Sequence, residues 1–194
     1  MSKLSKKESS VRIIGGQWRS RKLIFFEEET LRPTHDRIRE TVFNWLQNTI
    51  ANSVCLDVFA GSGALGFEAL SRNAAHVTFI DTSSTVIKYL KKNAATLKTH
   101  QVDFIQSDFM LENTIKNKKF DVVFLDPPFQ KNYLLMAFEL LMTRNLLNKN
   151  AYIYAEFEKN SVDLKKIPAW LDIKKHGKTK TIEYMLCVTT HHSS

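Results

Sequence analysis

The chain is 194 residues long; 43% are apolar, 25% are charged, and 28 Lys and Arg outweigh 20 Asp and Glu for a net charge of +8. That length and mixture fit one folded domain with a small extension and exclude wholesale disorder, and no apolar run approaches the roughly 18–20 residues of a membrane span. Two cysteines, Cys55 and Cys187, exclude a disulfide framework; both lie in apolar runs, as reduced, buried thiols of a cytoplasmic protein would.

Residues 1–39 carry ten basic and five acidic side chains, so most of the net charge lies in the first fifth of the chain. A basic end on a near-neutral body points to a polyanionic partner, nucleic acid before membrane. Residues 1–10, MSKLSKKESS, are expected to be disordered and lack the apolar stretch of a secretory signal. Residues 11–26, VRIIGGQWRSRKLIFF, read as two short strands around a Gly15-Gly16 turn, followed by an acidic loop tip at 27–29. From residue 34 to about 50 the period becomes helical. Ile38, Val42, Phe43, Leu46 and Ile50 share one face, with Thr34 or Asp36 as the candidate N-cap.

From residue 53 short apolar runs alternate with helical patterns. Strands are expected at 54–60, 76–80, 102–106, 120–125 and 151–157, and helices at 64–72, 83–97 and 133–147. The end reads as an antiparallel pair, 170–175 and 181–189, around Gly177. Such alternation predicts crossover units and a parallel sheet covered on both faces.

Three of the six glycines fall at Gly61, Gly63 and Gly66, between the first of these strands and its helix. In an open parallel sheet this is where backbone approaches a nucleotide-like ligand, at the carboxyl ends of the strands. The spacing satisfies the dinucleotide fingerprint, and Asp81 follows where a ribose-binding acid would stand. A pyrophosphate cofactor is opposed by Asp57, a carboxylate near the end of the preceding strand. S-adenosylmethionine carries an ammonium and a sulfonium and no phosphate, so the acid favours a methyl donor over NAD. Asp108, after the third strand, is a candidate acceptor for an adenine amino group, with Phe109 against the ring. No Cys/His group has zinc spacing, His191 and His192 read as tail, and no metal is expected.

Adjacent prolines close the most apolar strand, DVVFLDPPF, at 127 and 128. They end its ladder and stiffen the tip, pairing the Asp126 carboxylate with the Pro127 carbonyl as acceptors beside Phe129. Two acceptors suit the exocyclic amino group of a nucleobase, whose lone pair is otherwise delocalised into the ring; Phe129 supplies a stacking face. Asp126, Pro127, Pro128 and Phe129 are therefore the catalytic candidates. This chemistry serves guanine N2 and adenine N6 alike. A non-catalytic RNA-binding assembly factor and an NAD-dependent oxidoreductase are the rivals from other classes.

Through LDVFAGSGALG and LDPPF the sequence resembles the class I S-adenosylmethionine-dependent methyltransferases. Through RIIGGQWRSRKL at 12–23, LRPTHDRIRETVFNWL at 31–46, CLDVFAGSGALGFEALSR at 55–72, NAATLK at 93–98 and VVFLDPPF at 122–129 it resembles more closely the bacterial 16S ribosomal RNA (guanine(966)-N2)-methyltransferase family. The resemblance implies a Rossmann-like fold: a seven-stranded mixed sheet with helices on both faces and a small N-terminal hairpin-and-helix extension. Residues 1–52 would form the RNA-binding extension and 53–190 the methyltransferase domain. It also implies S-adenosylmethionine as cofactor, held by Asp57, Phe59, Ala60, Gly61, Gly63, Asp81, Asp108 and Phe109. Asp81 stands where the family usually has Glu. Arg12, Gln17, Arg19 and Arg21 of the hairpin would lie over RNA phosphates, and Thr34, Arg37 and Arg39 beside the active site. The partner would be ribosomal RNA or the small ribosomal subunit, and the protein a monomer. The 174–180 lysine cluster reads as a solvated hairpin, with a second RNA contact as the alternative.

Overall fold

A computed structural model describes residues 8–26, 36–128 and 133–190. Two strands, β1 (Glu8–Arg12) and β2 (Lys22–Phe26), pair antiparallel and lead to helix α1 (Asp36–Trp45). Then follow β3 (Val54–Asp57), α2 (Ala64–Ser71), β4 (His76–Asp81), α3 (Ser84–Leu97), β5 (Val102–Gln106), β6 (Phe120–Leu125), α4 (Tyr133–Thr143), β7 (Leu147–Glu158), β8 (Leu171–Lys178) and β9 (Ile182–Thr189). The last seven strands form one sheet in the order β5-β4-β3-β6-β7-β9-β8. β3 to β7 run parallel, and β9 lies antiparallel between β7 and β8.

The strands are apolar on both faces because both are covered. On one face Cys55, Val77, Phe79, Val122, Phe124 and Tyr154 meet α1, α2, α3 and the β1–β2 hairpin. On the other, Leu56, Ile80, Val123, Leu125 and Ile153 meet α4 through Leu134, Ala137, Phe138 and Leu141. At about 1.5–3 kcal/mol per large buried apolar side chain, the contacts of Ile38, Val42 and Phe43 dock α1 as part of the main core. The extension thus shares the core of the sheet.

Several boundaries differ from the sequence reading. Glu8, Ser9 and Ser10 belong to β1, because pairing with Phe26, Phe25 and Ile24 overrides their polar composition. Residues 1–7, the 27–29 loop tip, Thr34 and His191–His192 lie outside the described residues. Gly15-Gly16 is not a tight hairpin turn: the β1–β2 ladder ends at Arg12 and Lys22, Ile13 still bonds to Arg21 and Ser20, and residues 14–18 dock on α2. Gly16 sits at φ +75°, and a Cβ there would come within 1.8 Å of the Ser71 carbonyl oxygen. The glycine is needed for close approach to the helix. Helix α4 ends at Thr143 and β7 begins at Leu147, with Asn145 in the left-handed region between them.

Candidate active site

The carboxyl ends of β3, β4, β5 and β6 share one edge of the sheet, and four acids stand there: Asp57, Asp81, Asp108 and Asp126. Asp57 closes β3 and is 3% exposed. Its Oδ2 accepts the Gly66 backbone N–H at 3.1 Å, tying the strand to the first turn of α2. Burial, with a smaller push from Asp81, raises its carboxyl from 3.8 to about 8. A carboxyl whose ionisation is suppressed by burial gains most from a cation placed beside it. An acceptor carboxylate there fits an ammonium group and disfavours a phosphate.

The loop between β3 and α2 turns at Gly61 (φ 49°) and Gly63 (φ 74°), both in the left-handed region that glycine tolerates. Asp81 secures it. Its Oδ2 accepts from Gly61 N at 3.0 Å and its Oδ1 from Ser83 N at 2.9 Å, so one carboxylate joins the glycine loop to the start of α3. Each carboxylate oxygen has a further lone pair for a hydroxyl donor. Phe59 is half-buried and Ala60 buried in the same loop, and Ala60 N donates to the Ile80 carbonyl. Asp108 is half-buried and accepts from Met110 N at 2.8 Å.

Phe109 departs from expectation. It is 3% exposed in the core on the α4 side, with the Arg144 guanidinium 4.9 Å from its ring centroid. An adenine-stacking face is therefore corrected to a core residue covered by a cation. At the neighbouring tip Asp126 is half-buried, Pro127 buried and Pro128 exposed; Phe129 lies outside the described residues.

The N-terminal arginines divide. Arg12, Gln17, Arg19, Arg21 and Arg37 are exposed. Arg21 Nη2 donates to the Thr96 carbonyl at 2.9 Å, fastening the hairpin to the end of α3. Arg39 is fully buried: Nη2 donates to Asp36 Oδ1 at 2.6 Å and to the Arg12 carbonyl at 2.9 Å. A substrate-binding arginine beside the active site is thereby corrected to a clamp between α1 and β1. Burial opposes ionisation of Asp36, but hydrogen bonds from Arg12 and Arg39 outweigh it and hold the carboxyl below its ordinary value. In the 174–180 cluster Lys174 pairs with Asp172, while Lys175, Lys178 and Lys180 are exposed.

Sequence reasoning missed four polar residues. Glu68 and Ser71 of α2 and Asn93 of α3 receive the backbone of the hairpin and its loop. Glu156, a buried acid in the otherwise apolar β7, bonds to Tyr154. An acid interrupting AYIYAEFE was the available signal. Among the described residues no helix is long and apolar enough to cross a membrane, and no group of three or more His, Cys, Asp or Glu could hold a metal.

A parallel sheet with one reversed strand, a glycine loop after β3 and acids closing successive strands define a class I methyltransferase. The model of the family described as Conserved hypothetical protein 95 matches residues 11–187, and the chain belongs to that family. It is 51% identical over 157 residues to a Haemophilus influenzae protein named Ribosomal RNA small subunit methyltransferase D, covering 79% of this chain and 81% of the relative. The protein of that name in Escherichia coli K12 is 43% identical over 176 residues, 91% of this chain and 88% of the relative. The solved structure of Escherichia coli yhhF superposes with a TM-score of 0.84 at 42% identity, covering 93% of this chain and 98% of the other.

Proposed function

We propose that this chain transfers a methyl group from S-adenosylmethionine to the exocyclic N2 amino group of a guanine in small-subunit (16S) ribosomal RNA. The observation that carries the reading is the placement of the Asp126-Pro127-Pro128 tip. β3 pairs with β6 so that Asp57 lies opposite Phe124, and Asp126 follows two residues on, at the edge that carries the glycine loop. The names of the relatives at 51% and 43% identity support RNA of the small subunit as the substrate.

In this reading Asp57 holds the ammonium of the methyl donor, Asp81 the ribose hydroxyls and Asp108 the adenine amino group, with Phe59, Ala60, Gly61 and Gly63 lining the pocket. S-adenosylmethionine, when bound, supplies an electrophilic methyl group whose bonding pair stays with sulfur. Asp126 and the Pro127 carbonyl accept the two hydrogens of the guanine amino group and turn its lone pair out of the ring. Once alkylated, that nitrogen sheds one proton to Asp126 or to water. Catalysis is then mainly positioning and electrostatics. The base leaves its stack to reach the tip, with Phe129 as the stacking partner. Arg37 is exposed on α1 and is assigned to the RNA, and residues 1–52 supply the RNA-binding surface to the methyltransferase domain at 53–190. The protein acts as a cytoplasmic monomer.

The test is a labelled-methyl assay on protein-free small-subunit ribosomal RNA and on assembled small subunits, both from a strain lacking the enzyme. Incorporation into one of these, absent with large-subunit RNA, is expected; incorporation into neither contradicts the proposal.

A further inference from the structure

The edge of the sheet opposite Asp126 carries a cleft that methyl transfer does not use. It opens where the β5–β6 connection meets the α4–β7 connection, at the amino ends of β6 and β7. Its volume is about 620 Å³, and it is lined by Asn117, Lys118, Lys119, Arg144, Asn145 and Asn148. Each of these side chains carries N–H donors, and none is acidic. Residues 116–119 and 144–150 together hold Lys116, Lys118, Lys119, Arg144 and Lys149, with no Asp or Glu among them.

The backbone fixes both walls. Phe120 N donates to the Leu146 carbonyl at 2.9 Å and joins the two connections. Asn117 (φ 57°) and Asn145 (φ 53°) turn the chain in the left-handed region, which Asn enters more readily than most residues. The β6–β7 ladder then slips: Phe120 pairs with Leu147 and Val122 with Tyr152, so residues 148–151 stand opposite Asp121 alone. A bulge of this kind re-aims side chains. The Asn148 amide donates to Asp121 Oδ1 at 2.7 Å, while Asp121 Oδ2 accepts from Val54 N at 2.8 Å. Asp103, the other nearby acid, takes Lys118 and His76. Among the described residues no ion pair reaches Arg144 or Lys119.

Arg144 is the residue that asks for a ligand. It is half-buried, its guanidinium lies over the Phe109 ring, and Nη1 donates to the Phe109 carbonyl. Burial opposes its charge, and no carboxylate among the described residues offsets the cost. A guanidinium has five N–H donors in a planar fork, which matches the oxygens of a phosphate. Lys119, exposed in the same cleft, adds a second positive charge. We propose that this cleft is an anion site, which takes a phosphate group of the ribosomal RNA backbone on the far edge of the sheet from the reacting base. At about 3.3 Å per residue, β6 sets the site about 20 Å from Asp126. The anion site stands on the cleft itself. The choice of RNA rests on the function proposed above and deepens it, giving the substrate a second hold beyond the N-terminal extension.

The experiment measures binding of protein-free small-subunit ribosomal RNA across a salt series. It compares the natural chain with Lys119→Ala, Arg144→Lys and the double variant Lys119→Ala with Arg144→Gln. Thermal unfolding and calorimetry with S-adenosylhomocysteine check that each variant is folded. Loss of one phosphate contact should lower the slope of log affinity against log salt by about 0.7–0.9 in the double variant. Lys119→Ala alone should move it the same way, and being an exposed change it reports even if the double variant fails to fold. Arg144→Lys keeps the charge and should keep most of the slope. An arginine that only covers Phe109 would lower stability and leave the slope fixed; folded variants with the natural slope overturn the inference alone. A second arm titrates inorganic phosphate at matched ionic strength. Phosphate binding that the double variant loses, with its RNA slope unchanged, assigns the site to free phosphate and overturns RNA as its occupant. A natural chain that does not bind small-subunit RNA overturns the inference together with the proposed function. The expected slope change without a methylated product overturns that function and upholds the cleft.

Discussion

Glu68, fully buried in α2, grips the turn at Gly15: its Oε1 accepts the Gly15 backbone N–H at 2.8 Å while its Oε2 accepts that of Ile14 at 2.7 Å. Arg72, one helical turn on, donates to the same Oε1 at 2.8 Å and supplies the countercharge. One buried acid thus seats the N-terminal extension on the helix that opens after the glycine loop. Glu68→Ala leaves two backbone donors and a guanidinium without their acceptor. The loss should be about 2–5 kcal/mol of unfolding free energy, with weakened RNA binding, read by denaturant titration and filter binding. A change within about 0.5 kcal/mol would remove Glu68 from this role.

Asp57 predicts a pH dependence of two linked kinds. Between 3.8 and about 8 the folded chain keeps a proton on Asp57 that the unfolded chain has released. Rising pH across that window therefore erodes the contribution of this residue to stability, and the erosion is complete above pH 8. A cationic ligand instead selects the carboxylate. Below pH 8 its binding releases a proton, and affinity should fall by about tenfold per pH unit. Calorimetry with S-adenosylhomocysteine, which carries the same ammonium, measures the slope. Asp57→Asn should bind weakly and flatten it; a flat profile in the natural chain would contradict the assignment.

Asp126→Ala should separate binding from turnover. Its carboxylate faces the acceptor amine in our account, so affinity for S-adenosylhomocysteine should stay within about twofold while turnover drops by roughly 10²–10⁴. Single-turnover kinetics beside calorimetry resolves the two, and near-natural turnover would count against a role at the amine.

Arg19 and Arg21 are exposed on the loop that follows β1. If both lie on phosphates, Arg19→Ala with Arg21→Ala should weaken RNA binding and reduce the slope of log affinity against log salt by roughly 1.5–2. An unchanged slope would take these side chains out of the interface.

The alternation of strand and helix, the acids at strand ends and the glycine loop could all be read from the sequence, because each follows from local period and from where a parallel sheet opens. What escaped was set by distant partners. Gly15-Gly16 carries the local signature of a tight turn, yet the need for glycine at 16 comes from the Ser71 carbonyl. Arg39 lies in a polar stretch of a helix, and its burial is supported by Asp36 and by the distant Arg12 carbonyl of the hairpin. Phe109 follows Asp108 as a ligand-facing residue would, but Arg144 from the end of α4 covers it. Glu156 sits in an apolar run, and its burial beside Tyr154 follows from packing on both faces of β7 rather than from local pattern.

The central claim is tested most directly by nucleoside mass spectrometry of small-subunit ribosomal RNA after reaction with the purified protein and S-adenosylmethionine. The account predicts a single new modified nucleoside, N2-methylguanosine, with the methyl group derived from the donor. N6-methyladenosine in its place, or no methylated nucleoside on RNA and subunits alike, would contradict it.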